Sequence, residues 1–232
     1  LAEIQINANG ALSSMSEVLN KPPLKLLDRM QQPINFGNAQ VSGKGRVQLL
    51  LKSNLTSDEI SYEVTGTAEK FSSAVLNSDF DISNGTLDFF ADKKGIEIKG
   101  NAKVKNLPVK AKFSGAIAKD QAKFLEIDFN LSQQALEMLP FGMPELKISG
   151  SAPAQLYLKF LESKKVKFEL VSNLKGVELS YPPIGWVKEM NGEAELKVSG
   201  ALGTEFVLDK ISLISSELVL QGSAVQKRDE NI

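Results

Sequence analysis

The sequence predicts a mostly β fold, an extended antiparallel meander with short helices near 11–30 and 132–139. Three observations carry this. Apolar and polar residues alternate with period two over most of the chain. The alternating runs are separated by short polar turn clusters, and no long amphipathic segment stands between them. Successive strand side chains point to opposite faces, so alternation describes a sheet with one dry and one wet face. Parallel strands need crossovers of roughly a dozen residues; without them, consecutive strands are antiparallel neighbours.

The elements follow in order. Ala11–Leu19 sets Leu12, Met15, Val18 and Leu19 on one helical face. Pro22 and Pro23 open a second short helix carrying Leu24, Leu27 and Met30; proline is tolerated there because its missing N–H would be unpaired anyway. Ile60, Tyr62 and Val64, then Leu87 and Phe89, fit alternation loosely. The clearest run is 96–105, with Ile96, Ile98, Ala102 and Val104 facing one way and Glu97, Lys99, Lys103 and Lys105 the other. Val109-Ala111-Phe113 and Leu125-Ile127-Phe129-Leu131 repeat it. Ser132 then caps a helix holding Ala135, Leu136 and Leu139, stopped by Pro140. Strands resume at Leu156-Leu158-Phe160, Val166-Phe168-Leu170, Ala194-Leu196-Val198 and Leu218-Leu220. Residues 92–95, 118–121, 162–165 and 173–176 are expected hairpin loops. Pro140 to Pro144 marks a soft boundary between parts 1–140 and 141–232, whose strand grammar is alike enough for one continuous architecture.

The chain of 232 residues can bury a real core. Its 27 basic and 28 acidic residues leave a net charge of -1, so no positive field argues for nucleic acid. Cysteine and histidine are both absent. That removes disulfides, thiolate and imidazole metal sites, Cys nucleophiles and the Ser-His-Asp triad. No cofactor, no metal and no catalytic residue is expected. The longest apolar patch, Val47 to Leu51, is strand-sized, far from the roughly 18 residues of a spanning helix. Leu1 in place of methionine suggests an internal segment, whose parent protein can carry its membrane anchor elsewhere.

The motifs that imitate chemistry resolve to turns and faces. Gly43-Lys44-Gly45 lacks the spacing and the Ser or Thr of a phosphate loop, and position 48 is Gln where a dinucleotide fingerprint needs glycine. It is expected to be a turn or bulge between Val41 and Val47. Ser172-Asn173-Leu174-Lys175 has no companion Ser-Asp-Asn or Lys-Thr-Gly and falls in an expected hairpin. Asp79 and Asp81 share the polar face of one strand, with none of the separation across a cleft that a glycosidase pair needs. Lys93-Lys94 and Lys164-Lys165 sit at loop tips.

The apolar stripe has two meanings at this level. Dry faces can bury one another in the core of a sandwich or barrel. Alternatively, a curved, open sheet can offer its dry face as a groove for acyl chains. At roughly 0.8 kcal/mol per buried CH₂, a 16-carbon chain gains on the order of 10 kcal/mol before ordering costs. Alternation alone does not choose between them.

Two stretches carry a resemblance. The first runs from Leu12 to Ile117, through Pro22-Pro23-Leu24-Lys25-Leu26-Leu27, Asn84-Gly85-Thr86-Leu87, the strand from Gly95 to Ala102, and Leu107-Pro108-Val109-Lys110-Ala111-Lys112-Phe113. The second is the segment from Val177 to Lys188 containing Tyr181-Pro182-Pro183-Ile184-Gly185-Trp186, followed by Gly192-Glu193-Ala194-Glu195-Leu196 and Leu218 to Ala224. The chain resembles the large AsmA-like envelope proteins of Gram-negative bacteria, the YhdP and TamB relatives, and especially their central domain of formerly unknown function.

The resemblance implies a meander curved into a β-groove or open half-barrel, within an inner-membrane-anchored bridge that crosses the periplasm and carries phospholipid toward the outer membrane. On that expectation acyl chains lie along Ile96, Ile98, Val104, Val109, Phe113, Leu125, Ile127 and Phe129 in the first half of the stripe. Val166, Phe168, Leu170, Leu196 and Val198 continue it. Pro182, Pro183 and Trp186 break a strand at the groove rim and leave Lys188 near the polar edge. The expected partners are phospholipid or another acyl-chain lipid, a membrane reached through the parent's anchor, and envelope proteins, with no nucleic acid. The alternatives are a closed β-sandwich serving as a structural or interaction module, and a stand-alone lipid or lipoprotein carrier.

Overall fold

A computed structural model describes residues 1–22, 37–52, 59–73, 81–116, 121–139, 145–161, 165–203 and 205–227. The chain divides into two compact units, Leu1–Lys123 and Phe124–Ile232. The division falls at the first residue of the last strand ahead of Ser132. The boundary segment expected at 140–144 lies outside the described residues, as does the helix expected after Pro23.

The first unit is an antiparallel meander. Its elements are β1 (Ala2–Ala11), α1 (Leu12–Leu19), β2 (Asn38–Leu49), β3 (Ser61–Ser73), β4 (Ile82–Asp92), β5 (Gly95–Val104) and β6 (Leu107–Ala116). Every strand pairs antiparallel with the next in sequence. The order never returns on itself, so the sheet is open. Strand β1 was not anticipated, although Ile4, Ile6 and Ala8 alternate with Gln5 and Asn7.

Local chemistry fixes the turns. The Asp92 carboxylate accepts hydrogen bonds from the backbone N–H of Lys94 (2.7 Å) and Gly95 (3.0 Å), closing the β4–β5 hairpin at the expected place. Lys105 and Asn106 join β5 to β6 with φ of 45° and 70°. Two consecutive positive φ values match the right-handed strand twist, and Asn tolerates that region better than most residues.

The segment Gly43-Lys44-Gly45 is neither a turn nor a bulge. It lies inside β2, in unbroken register with Gly66, Thr65 and Val64 of β3. The reason is space. Gly43 and Gly66 face one another, and a Cβ on Gly66 would stand 2.5 Å from the Phe89 ring and 2.4 Å from the Ser42 carbonyl oxygen. The two glycines let the ring of β4 lie across β3. Gly66→Ala is expected to lower the urea unfolding free energy of this unit by about 1–3 kcal/mol, the usual range for overpacking, read by far-UV circular dichroism.

The second unit contains two sheets. The elements are β7 (Lys123–Leu131), α2 (Gln133–Glu137), β8 (Lys147–Gly150), β9 (Ala152–Phe160), β10 (Val166–Ser172), β11 (Val177–Tyr181), β12 (Trp186–Lys188), β13 (Ala194–Leu202), β14 (Glu205–Ser215) and β15 (Val219–Lys227). The main sheet runs β7-β9-β10-β13-β14-β15, and a small sheet runs β12-β11-β8. Ser132 caps α2 as expected, its hydroxyl accepting from the Ala135 N–H at 3.3 Å.

Residues 173–176 do not form a hairpin within one sheet. They carry the chain from β10 of the main sheet to β11 of the small one. The Ser172 hydroxyl donates to the Pro153 carbonyl (2.8 Å) and accepts from the Leu174 N–H (3.1 Å). Leu174 and Gly176 take φ of 50° and 92°. The turn sequence was legible; the change of sheet was not, because a turn motif does not specify its strands' partners.

Candidate functional site

The register of the first unit assembles two faces. On one, Ile6, Gly45, Val64, Ala91, Ile96 and Gly115 stand in a row across all six strands. The adjacent row is Ala8, Gly43, Gly66, Phe89, Ile98 and Phe113. Further along β5 and β6, Ala102 opposes Val109 and Val104 opposes Leu107. The other face carries Gln5, Lys44, Glu97, Lys99, Lys103, Lys110 and Lys112. The apolar face is thus continuous from the first strand to the sixth, with no charged side chain in these two rows.

Burial distinguishes this face from a finished core. Ile60, Tyr62 and Ala91 are buried toward one end of the strands, and Val41, Ala68 and Leu107 lie buried further along. Tyr62 packs with Val47, Val64 and Ile96. In the middle of the sheet, Val64, Phe89, Ile96, Ile98 and Phe113 remain half-buried, as do Val104 and Val109. The floor of a closed sandwich is covered by the facing sheet about 10 Å away. Here the described residues lay no complete layer over the centre of the face.

The second unit behaves otherwise. Leu170, Val198 and Phe168 are 1%, 3% and 6% exposed. The Phe168 ring lies parallel to that of Phe206 with centroids 5.9 Å apart, and it covers Gly200, its cross-strand partner. Leu131, Ala152, Ala154, Leu170 and Ala194 are all buried at the end where the chain leaves for the small sheet. Leu174, Val177, Leu179 and Ile148, on or leading into that sheet, are buried too. The Gln133 carboxamide oxygen accepts from the Ile148 N–H (2.9 Å), tying α2 to β8. The remaining members of the expected stripe, Leu125, Ile127, Phe129, Val166 and Leu196, are half-buried.

The expected rim divides. Pro182 and Pro183 interrupt the chain between β11 and β12, forming a 3-10 turn closed by Gly185 at φ 65°. Both prolines are exposed, and Trp186 is half-buried. Its indole N–H is buried with no hydrogen-bond partner. Lys188 does not sit at a polar edge: it is 4% exposed. Strand parity puts it beside Leu179 on the inner face of the small sheet. Its ammonium donates to the Val177 carbonyl (2.8 Å) and the Glu189 carbonyl (3.0 Å).

Burial holds the Lys188 pKa below its ordinary 10.5, because removal from water disfavours the charged form. The unfolded chain therefore binds this proton more tightly than the folded one. The penalty is complete at neutral pH and is relieved as pH rises toward 10.5. Unfolding followed by fluorescence of Trp186, the single tryptophan, should show the stability of this unit rising on the alkaline side as pH approaches 10.5. Lys188→Met is expected to flatten that rise; an unchanged slope would assign it to another group.

Among the described residues no three acidic side chains come together to hold a metal, and no helix is long and apolar enough to cross a membrane. Sequence reasoning missed Ile4, Ile6, Val41 and Val47 as members of the apolar face. Between Val41 and Val47 the alternation is interrupted by Gly43 and Gly45, which the register shows to be members of the same rows. Comparison with protein-family models, with curated proteins and with solved structures finds no match to this chain.

Proposed function

We propose that this chain is a non-enzymatic segment of an inner-membrane-anchored bridge in the bacterial periplasm. It holds phospholipid acyl chains on a dry β-face for transport toward the outer membrane. The observation that supports this most is the half-burial of Ile98, Phe113, Phe89 and Val64 in the middle of a six-strand apolar face. Side chains of that kind gain free energy from any apolar cover, and an acyl chain supplies it without requiring hydrogen bonds. Headgroups stay toward solvent. No side chain performs chemistry, so the lipid is cargo.

Envelope location, the anchor and the direction of transport rest on the resemblance to the AsmA-like proteins alone. The test is native mass spectrometry of the purified chain, with lipid extraction from the same sample. Copurifying phospholipid, absent from Phe113→Asp, is the expected result. A lipid-free mass, with no uptake of added fluorescent phospholipid, would overturn the proposal.

A second reading, a structural or interaction module with a closed core, is favoured by the second unit. Its Leu170, Leu174 and Val177 are at most 1% exposed and leave no room for cargo at that end. If this reading governs the whole chain, no lipid is found and the central apolar face of the first unit is covered by protein. A stand-alone carrier would instead load one lipid stoichiometrically without neighbouring segments.

A further inference from the structure

We propose that the polar face of β5 and β6 docks on an anionic phospholipid bilayer through Lys99, Lys103, Lys110 and Lys112. Strand parity sets all four on the face opposite the apolar rows, and all four are exposed. Lys99 stands directly opposite Lys112, and opposed residues of an antiparallel pair lie with Cα atoms about 4.5–5.5 Å apart. Like charges so placed destabilise a sheet. Lys110 faces Asn101 and Lys103 faces Pro108, and neither partner offsets a positive charge.

The acidic side chains of this face lie mostly on other strands. Glu3 is on β1, and Glu63 and Glu69 are on β3. Asp88 opposes Lys99 from β4, and its carboxylate accepts a hydrogen bond from the Thr67 hydroxyl (3.0 Å). Glu97 is the single carboxylate on β5 and β6. At the turn between these strands Lys105 has Asp81 beside it, the Asp81 carbonyl accepting the Lys105 N–H (3.0 Å). None of the four lysines forms an ion pair among the described residues. The patch keeps a net positive charge, which an anionic surface complements. It lies on a sheet face, so a strand paired along an edge leaves it uncovered.

Two features favour a bilayer over a single acidic partner. All four cations are lysine. An ammonium is a point charge on a flexible stem, without the fork by which arginine grips one carboxylate or phosphate. It suits a fluid array of headgroups. The second feature is Phe90, 37% exposed, the one aromatic side chain on this face among the described strands of the first unit. It opposes Glu97, two residues from Lys99 on the same face. A phenyl ring among lysine stems matches a headgroup layer, where cations meet phosphate and apolar side chains enter below them. The inference goes beyond the cargo reading and does not rest on it, because it concerns the opposite face of the sheet.

The test is sedimentation of the chain with vesicles of phosphatidylcholine alone and of equal parts phosphatidylcholine and phosphatidylglycerol. The expected result is binding to the mixed vesicles that is lost at high salt and absent from the neutral ones. Lys99→Gln combined with Lys112→Gln should weaken it roughly 25-fold, about fivefold per ammonium removed. Lys175→Gln combined with Lys210→Gln removes the same charge outside the patch and should weaken it much less. Circular dichroism establishes that both double variants are folded. Phe113→Asp, on the apolar face, should bind the mixed vesicles as the parent chain does, so this inference and the cargo reading can fail separately. No binding to the mixed vesicles would overturn the proposal, as would an equal loss from the two double variants. Tighter binding to soluble polyglutamate than to the mixed vesicles would replace the bilayer with an acidic protein.

Discussion

Phe168→Asp is expected to unfold the second unit, lowering its stability by at least about 3–5 kcal/mol. The phenyl ring is 6% exposed, stacked on Phe206 and laid over Gly200. Removal of a buried aromatic side chain alone costs about that much through lost transfer free energy and the cavity left behind. The carboxylate adds the desolvation of an unpaired charge. Trp186 belongs to the small sheet of the same unit, so its fluorescence reports the loss directly. The urea midpoint should fall sharply. A midpoint within experimental error of the parent's would mean that Phe168 lines an accessible surface, and the closed-core description of this unit would fail.

Phe113→Asp is expected to give the opposite outcome: a folded protein that no longer holds lipid. Phe113 stands opposite Ile98 in the middle of the first sheet and is only half-buried. A carboxylate there can stay hydrated across the open face, so the stability cost should remain near the ordinary 1 kcal/mol of a point substitution. The same carboxylate set against an acyl chain is a desolvated charge without a partner. Lipid retention should fall at least about tenfold. If Phe113→Asp unfolds the first unit as Phe168→Asp unfolds the second, its apolar face is a closed core and the lipid proposal fails with it. The two variants thus make the same chemical change at two cross-strand phenylalanines, separated only by what lies over each ring.

Much of the architecture was legible because β-structure writes its face into a period of two. The runs at 96–105, 109–113, 125–131 and 166–170 became β5, β6, β7 and β10, with the predicted residues on one face. Ser132 identified its helix because an N-cap is a local device: one hydroxyl, one orphan N–H three residues on. Asp92 similarly fixed its hairpin within four residues. Local rules failed where a segment's role depends on its neighbours. Gly43-Lys44-Gly45 has the composition of a turn, and it is a strand because Gly66, Thr65 and Val64, far along the chain, pair with it in unbroken register. Lys188 has the polarity of an edge residue, and it is buried because parity along β12 turns it inward.

The sequence by itself determined the antiparallel meander, the existence of one dry face, and the exclusion of histidine and cysteine chemistry. These depend on composition and on the alternation of neighbouring side chains, which any sheet built from this chain must respect. Only the tertiary structure decided how much covers that face. Ile98 and Leu170 occupy equivalent positions in equally regular alternating runs. One is half-buried and the other 1% exposed. Periodicity specifies which way a side chain points, and burial depends on what the rest of the chain places in front of it.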